Sequence, residues 1–477
     1  MRFKQFYLVE TTFEQFQFKG WKDYQKRIPM VRYGVDILKK LEKHGKAYIV
    51  GGTVRDIITG EKVPDDIDIA TDVPMEKIES MFKTHDVGKN KDFGIVVIEY
   101  KGVSFEIAQF RKDGVYKDGR RPETVSVGVS FDVDAQRRDF TINAMGIDSK
   151  GNIIDFFNGT KAIRNKIIQS VGDPDDRFSE DYLRMLRATR FASRLGFNIE
   201  DKTKKAIVKN AEKIRGIAPE RIMKEIFKMA QQTGGKFANA ILKLKETDLL
   251  KHIFPEVAKM DEFEHSQETH PEGNAFDHTI AALKSNKLKN PILNLSILLH
   301  DVGKITTRTY ENGKVRYLHH AKSSADLIDK IADRMKLDNK VRKSLVFSAL
   351  NHMKMHDFLK MSNNKIYKMM IDDNWNILFS VALADGKARG KIFNEREWQK
   401  IVEKIEYLSK KFKDKKGRDA IAGVVNGKLV MKLLKMEPGP KVGEVIRNTV
   451  DWILDQNVDI RDIKKINNYI QSNFGGK

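Results

Sequence analysis

The sequence of 477 residues predicts an α+β protein, a strand-rich module near the N-terminus followed by a long helical remainder. Short apolar runs bounded by turn residues crowd residues 47 to about 170: AYIVGG, DDIDIA, GIVVIEYKG, VSFEIAQF and GNIIDFF. After Pro174 these give way to amphipathic helical spacing. No internal repeat or long low-complexity segment interrupts either part. Residues 1–46 read as a helical extension ending in VDILKKLEKHGK, 47–172 as a mixed αβ head, and 173–258 as a helical neck. A second helical domain is expected over 259–409 and a helical tail over 410–477. Breaks are expected at HPEGN (270–274), KKFKDKKGR (410–418) and MEPGPKVG (436–443).

Composition narrows the function class. A net charge of +21 fits a polyanionic partner, and equally a lysine-rich solvated surface. With no cysteine, disulfides and thiolate metal sites are excluded, so any metal must rest on Asp, Glu, His or water. No apolar run approaches the roughly 20 residues needed to span a bilayer. The start, MRFKQFYLVETTFEQF, is charged and unlike a signal peptide. A soluble, cytoplasmic protein with no membrane partner is expected.

Within the head, residues 48–71 carry the chemistry. Tyr48-Ile49-Val50 reads as a buried strand, Gly51-Gly52 as a tight turn, and a helix carrying Arg55 should follow. Such a turn offers free N–H donors to an anion, and the helix dipole adds to the attraction. Val63 to Ala70 then alternates, with Ile67 and Ile69 on one face and Asp66 and Asp68 on the other. On a strand the two Asp residues stand roughly 6–7 Å apart at Cα, close enough for both to hold hard cations beside a triphosphate. Glu106 projects from VSFEIAQF on the face opposite Phe105 and Ile107. It is either a third carboxylate of that group or a solvated strand glutamate.

A lone DxD is weak evidence, because Asp-rich loops often only cap helices. The constellation is more specific: GGxVRD, then DxD ten residues on, then RRDFTINAM at 137–145, then EDYLRMLRATRFASRLGF at 180–197. It resembles the class II nucleotidyltransferases, the CCA-adding and poly(A)-polymerase family of the polymerase-β-like superfamily, over most of the chain beyond residue 46. The resemblance implies a polymerase-β-like head with a small mixed sheet. It implies Mg²⁺ on Asp66 and Asp68, with Glu106 on the attacking hydroxyl, and nucleotide contacts from Gly51, Gly52, Arg55 and Arg138. Asp139 or Asn143 would bond the ribose.

Choice of base would lie in residues 180–190. In one continuous helix Asp181 and Arg184 are i,i+3 neighbours, with Arg187 and Arg190 further down the same side. Asp only accepts and Arg only donates. The pair complements cytosine (amino donor beside N3 and O2 acceptors) and adenine (amino donor beside N1). Uracil and guanine present a carbonyl and an N–H in the wrong places. Read bare, the same residues also make a salt-bridged exposed helix. The polar segment DGVYKDGRRPETVS (113–126) resembles the flexible loop of complete CCA-adding enzymes, and favours C and A addition over C alone; bare, it is an ordinary surface loop.

Downstream lie His278, His300-Asp301, His319-His320, His352 and Asp385. A lone buried His is more often a satisfied core residue. The order H…HD…H…D resembles an HD-type metal-dependent phosphohydrolase domain, placed at 259–409. That implies His278, His300, Asp301 and Asp385 as ligands of a possible second divalent metal (Mg²⁺, Mn²⁺, Ni²⁺ or Co²⁺). Lys304 would lie near a phosphate, and His320 and His352 would complete a second ion; whether the site is active or scaffold stays open. Expected partners are tRNA, CTP and ATP. KETDLLKHIFPEV (245–257) and NGKLVMKLLKMEPGPKVGEVI (426–446) resemble the family's RNA-contacting segments. The activity implied is template-independent CCA addition, with a poly(A) polymerase or an RNA-end HD phosphohydrolase as the alternatives.

Overall fold

In the computed structural model, residues 8–11, 15–60, 66–85, 93–114, 124–263, 273–311, 314–411, 421, 423–456 and 458–475 are described. The chain divides into two units, Met1–Ala258 and Lys259–Lys477.

The first unit is built on a nine-stranded sheet. Its elements run β1 (Leu8–Thr11), β2 (Gln15–Phe18), α1 (Trp21–Arg27), α2 (Pro29–Leu41), β3 (Ala47–Val50), α3 (Gly52–Thr59) and β4 (Asp68–Thr71). There follow α4 (Met75–Met81), β5 (Lys83–His85), β6 (Ile95–Tyr100), β7 (Val103–Gln109), β8 (Arg111–Asp113) and β9 (Val125–Val127). The head closes with α5 (Phe131–Gln136), β10 (Met145–Ile147), β11 (Asn152–Asp155) and α6 (Gly159–Arg164). The sheet order is β1-β2-β11-β10-β3-β4-β7-β6-β5, while β8 and β9 pair separately. The pairing is antiparallel except β4 with β7, whose parallel register sets Asp68 opposite Glu106. β7 alternates as expected, with Phe105 and Ile107 inside and Glu106 outside.

The N-terminal segment corrects one expectation. The described part of residues 1–46 is not a purely helical extension. β1 and β2 lengthen the sheet through β11, and α1 and α2 enter the head's own core. Trp21, Val31, Val35, Leu38 and Leu41 are buried with Ile49, Ile69 and Ile107. The Trp21 indole donates to the Ser149 carbonyl at 3.1 Å. Gly151, at φ +87°, clears the ring, which a Cβ there would meet at 2.6 Å. The charged residues that disguise this segment lie on the outer face of α2, whose buried positions recur at helical spacing.

The neck follows: α7 (Pro174–Glu180), α8 (Leu183–Leu195), α9 (Asp201–Asn210), α10 (Pro219–Ala230) and α11 (Gly234–Glu246). α8 packs against α10 and α11, burying Met185, Leu186, Ala188 and Ala192 beneath its arginine-bearing side. Residues 180–190 are not one helix. Asp181 terminates α7 in an extended conformation (φ −157°, ψ 102°), and a new helix starts at Leu183.

In the second unit, helices Ala275–Ser285, Pro291–Leu299, His320–Arg334, Asn339–Asn351 and Trp375–Ala388 surround the histidine cluster. A hairpin of Arg308–Glu311 with Lys314–Tyr317 interrupts the expected helical pattern. The helices Gly427–Leu434, Pro440–Asp455 and Ile463–Phe474 have their own apolar cluster around Val430, Ile466 and Ile470. Most of KKFKDKKGR and part of HPEGN lie outside the described residues.

Candidate active site

A cleft of about 900 Å³ opens in the first unit, between the sheet's β3–β4 end and the helices α3 and α8. Gly51 and Gly52 form one lip. Gly51 has φ +71° and ψ −133°, a conformation open to glycine almost alone, and a Cβ there would lie 3.2 Å from the Arg138 guanidinium. The sequence therefore makes a bare backbone turn with an arginine lying over it, at the first turn of α3. Arg138 is fixed by Asp134 (2.9 and 3.2 Å) and reaches the Asn143 carbonyl at 3.4 Å. Asp134 is itself held below the usual carboxylate range, since Arg138 and Arg137 outweigh the cost of its burial.

Asp66 and Asp68 both line the cleft. The strand is shorter than the alternation implied: β4 begins at Asp68, and Asp66 lies in the bend before it. Burial, then repulsion from Glu106 and Asp66, pushes the Asp68 carboxyl up to about 6, against a smaller opposing pull from Arg138. Three carboxylates facing one another in this way form an anionic nest that favours a cation. Glu106 belongs to it as the cross-strand neighbour of Asp68, although it is not part of the cleft wall.

Arg55 lines the cleft where the triphosphate contact is expected. Arg55 is 3% exposed and donates to Asn143 Oδ1 (2.5 Å) and to Asp56 (2.9 Å). It braces the floor of the cleft. Asp139 is likewise engaged: Arg187 donates to it at 2.7 Å and Asn143 at 3.0 Å. Although burial opposes ionisation, Arg187 and these hydrogen bonds hold Asp139 down at about 2. Asp139 and Asn143 thus form one buried polar unit against the cleft.

Asp181 and Arg184 share the cleft, but they do not pair with each other. Arg221 donates to Asp181 Oδ2 at 2.6 Å, and the Leu183 amide to Oδ1 at 3.1 Å. Arg184 donates to Glu180 (2.5 Å) and to the Arg137 and Arg177 carbonyls. The break at Asp181 is what lets the acid turn toward α10 while Arg184 stays on α8. Arg190 is bound to Glu225 at 2.6 Å, and Arg194 to Asp56 at 2.5 Å. Arg55, Arg187 and Arg190 gather round the Phe191 ring at 4.9, 5.4 and 4.1 Å. Arg194 and Arg221 are cleft residues that sequence reasoning did not single out. Arg194 continues the Arg187–Arg190 spacing by four, a usable signal; Arg221 lies on another helix, and no spacing points to it.

The hairpin β8–β9 forms the stem of the 113–126 segment, pairing Asp113 with Val125; residues 115–123 lie outside the described residues.

In the second unit, the expected residues converge. His278 Nε2 lies 2.9 Å from Asp385, and the ring nitrogens of His300, His320 and His352 lie 3.3, 3.3 and 3.5 Å from the Asp301 carboxylate. His278, His300 and Asp385 form one set with metal-ligand spacing, and His300, Asp301 and His352 another. In His300, His320 and His352, Nδ1 lies 2.6–2.8 Å from the carbonyl three residues back, which can only accept; this turns each Nε2 toward Asp301. Lys304 pairs with Asp301 at 2.6 Å and is buried, so it serves the acid directly.

Residues 47–169 match the "Poly A polymerase head domain", and 196–260 match the "Probable RNA and SrmB- binding site of polymerase A". The chain is 42% identical over 237 residues to a CCA-adding enzyme of Geobacillus thermodenitrificans, covering 49% of this chain and 57% of that protein. It is 46% identical over 220 residues to one of Bacillus licheniformis, covering 46% and 54%. The chain thus spans little more than half the length of these curated relatives. The crystal structure of the Bacillus stearothermophilus CCA-adding enzyme in complex with CTP superposes with a TM-score of 0.66 at 27% identity, covering 93% of this chain and 99% of that one. In its head sequence, its neck and a fold shared along nearly the whole chain, the protein is similar to the class II CCA-adding enzymes and poly(A) polymerases.

Proposed function

We propose that the chain is a template-independent CCA tRNA nucleotidyltransferase, extending tRNA 3′ ends from CTP and ATP. The observation that carries this reading is one cleft in which a carboxylate nest, a glycine turn and an Asp–Arg set meet. The nest suits a divalent cation, as its ionised form is otherwise penalised at Asp68. Nucleotidyltransferases of this family use divalent metals, and we assign Mg²⁺ to Asp66 and Asp68. When bound, the metal lowers the pKa of the primer hydroxyl and neutralises developing phosphate charge.

The protein's own residues do the rest. The Gly51–Gly52 backbone and Arg138 receive the triphosphate. Asn143, oriented by Arg55 and Asp139, faces the sugar. Glu106 stands beside Asp68, where it can accept the proton of the attacking hydroxyl. Asp181 accepts from the amino group of C or A, and Arg184 donates to the neighbouring ring acceptor. Keto bases meet acceptor on acceptor, so UTP and GTP are refused. The test is primer extension with Asp66→Ala: we expect loss of activity by roughly three orders of magnitude, with tRNA affinity within a few-fold of the parent. Near-normal turnover would refute the carboxylate assignment.

A second reading concerns the other unit. We propose that His278, His300, Asp301 and Asp385, with His320 and His352 alongside, hold divalent metal in an HD-type phosphohydrolase centre. Buried His300 Nε2 and the Asp301 carboxylate converge with the His320 and His352 Nε2 atoms at 3.3–3.5 Å, as ligand atoms around an ion would. Calorimetry with Mn²⁺ tests it: His300→Ala should abolish one class of binding, and unchanged heats would reject the site.

A further inference from the structure

Beside the histidine cluster lies a second, smaller cavity of about 170 Å³, which shares His352 and Asp385 with the proposed ligands. One side is polar. Arg389, directly after the helix Trp375–Ala388, places Nη2 3.2 Å from His356 Nε2 and 3.7 Å from Asp385. Its Nε is buried and has no hydrogen-bond partner. A guanidinium N–H left without an acceptor is unfavourable, and a phosphoryl oxygen is its best complement. The other side is apolar, walled by Phe393, Trp398 and Ile401. The wall is made by Gly386: a Cβ there would meet the Phe393 ring at 2.9 Å, so glycine lets the ring lie down against the helix. Glu397 is exposed on the rim.

We infer that this cavity is the substrate pocket of the second unit, and that it takes a phosphate monoester whose ester-linked group is a single aromatic or flat apolar ring. Arg389 holds the phosphate, with His356 as its neighbour, on the side facing Asp385. The ring rests on Phe393 and Trp398. The size bounds the apolar group to one ring, because a cavity of roughly 150 Å³ is filled by a single benzene. The inference rests on the metal-centre reading above for the role of the adjoining ligands, but the anion contact through Arg389 is independent of it.

The test uses the full chain carrying Asp66→Asn and Asp68→Asn, which silence the head's cation site. Phenyl phosphate, glycerol phosphate and a short oligonucleotide ending in a 3′-phosphate are titrated calorimetrically, with and without Mn²⁺. Phenyl phosphate is expected to bind roughly tenfold or more tightly than glycerol phosphate, through the aromatic wall. Arg389→Ala should weaken phenyl phosphate by roughly tenfold or more, Arg389→Lys should restore part of it, and Gly386→Ala should erase the preference for the ring. Mn²⁺ affinity and melting temperature in Arg389→Ala should match the parent. Equal phenyl phosphate binding by parent and Arg389→Ala overturns the pocket, and equal binding of phenyl and glycerol phosphates overturns the ring assignment. An oligonucleotide that binds far more tightly than phenyl phosphate through Arg389 replaces the small ester with an RNA end. If Mn²⁺ binds His300→Ala as it binds the parent, the metal reading falls, while an Arg389-dependent phosphate site still stands.

Discussion

At the scale of single residues, the cleft is a set of arginines that already have acidic partners. Arg184 has Glu180, Arg187 has Asp139, Arg190 has Glu225 and Arg221 has Asp181. The proposed base selection then depends on Asp181 keeping the orientation in which Arg221 holds it. Asp181→Ala should relax discrimination against UTP and GTP, and Arg221→Ala should do so partially while sparing CTP turnover more. Competition assays with all four nucleotides check this; unchanged selectivity in both would remove the base-reading argument. Asp139 gives a prediction in pH. Its folded pKa of about 2 lies below its ordinary value, so its ionisation stabilises the fold above about pH 4, and that contribution fades as pH falls toward 2. A difference of nearly two pKa units corresponds to about 2 kcal/mol. Asp139→Asn should therefore be less stable by about that amount in urea melts at pH 7, with a visibly smaller gap at pH 3. Residue types and their neighbourhood were legible in the sequence, because acids and arginines at fixed spacings have few chemical uses. Their pairing was not: Arg221 lies forty residues from Asp181, and only packing of α10 on α8 brings it there.

At the scale of elements, the glycine turn ahead of α3 and the break between α7 and α8 set the site. Gly51→Ala forces a side chain into a left-handed conformation and toward Arg138. We expect a loss of about 1–3 kcal/mol of stability and a rise in KM for both nucleotides, measured by melting and steady-state extension. The GG turn and the β7 alternation could be read directly, since each is a local rule. The helix break could not be, because Glu180-Asp181-Tyr182 carries no Gly or Pro to announce it. The N-terminal segment hides its role, because its lysines and glutamates advertise a solvated helix while its apolar positions serve the head's core. Deleting residues 1–41 would strip Trp21, Val31, Val35 and Leu38 from that core. At roughly 1.5–3 kcal/mol for each such side chain, the head should lose cooperative melting, and a truncated chain melting like the parent would contradict the packing.

At the scale of the whole molecule, two units with separate cores carry two separate clusters of chemistry-bearing side chains. Among the described residues, no helix is long and apolar enough to cross a membrane. The charge of +21 takes its meaning from the proposed tRNA partner: binding through phosphates should weaken steeply with salt, by roughly tenfold or more between 50 and 200 mM. A nearly salt-independent affinity would favour the solvated-surface reading of the lysines. The fold class was legible because strand and helix periods change at one place in the chain. The most direct test of the account is to incubate the protein with tRNA lacking its 3′ terminus, supplying CTP, ATP or both. The account predicts growth by three nucleotides and then arrest, only when both are present. A long A tail from ATP alone, or no extension at all, would contradict it.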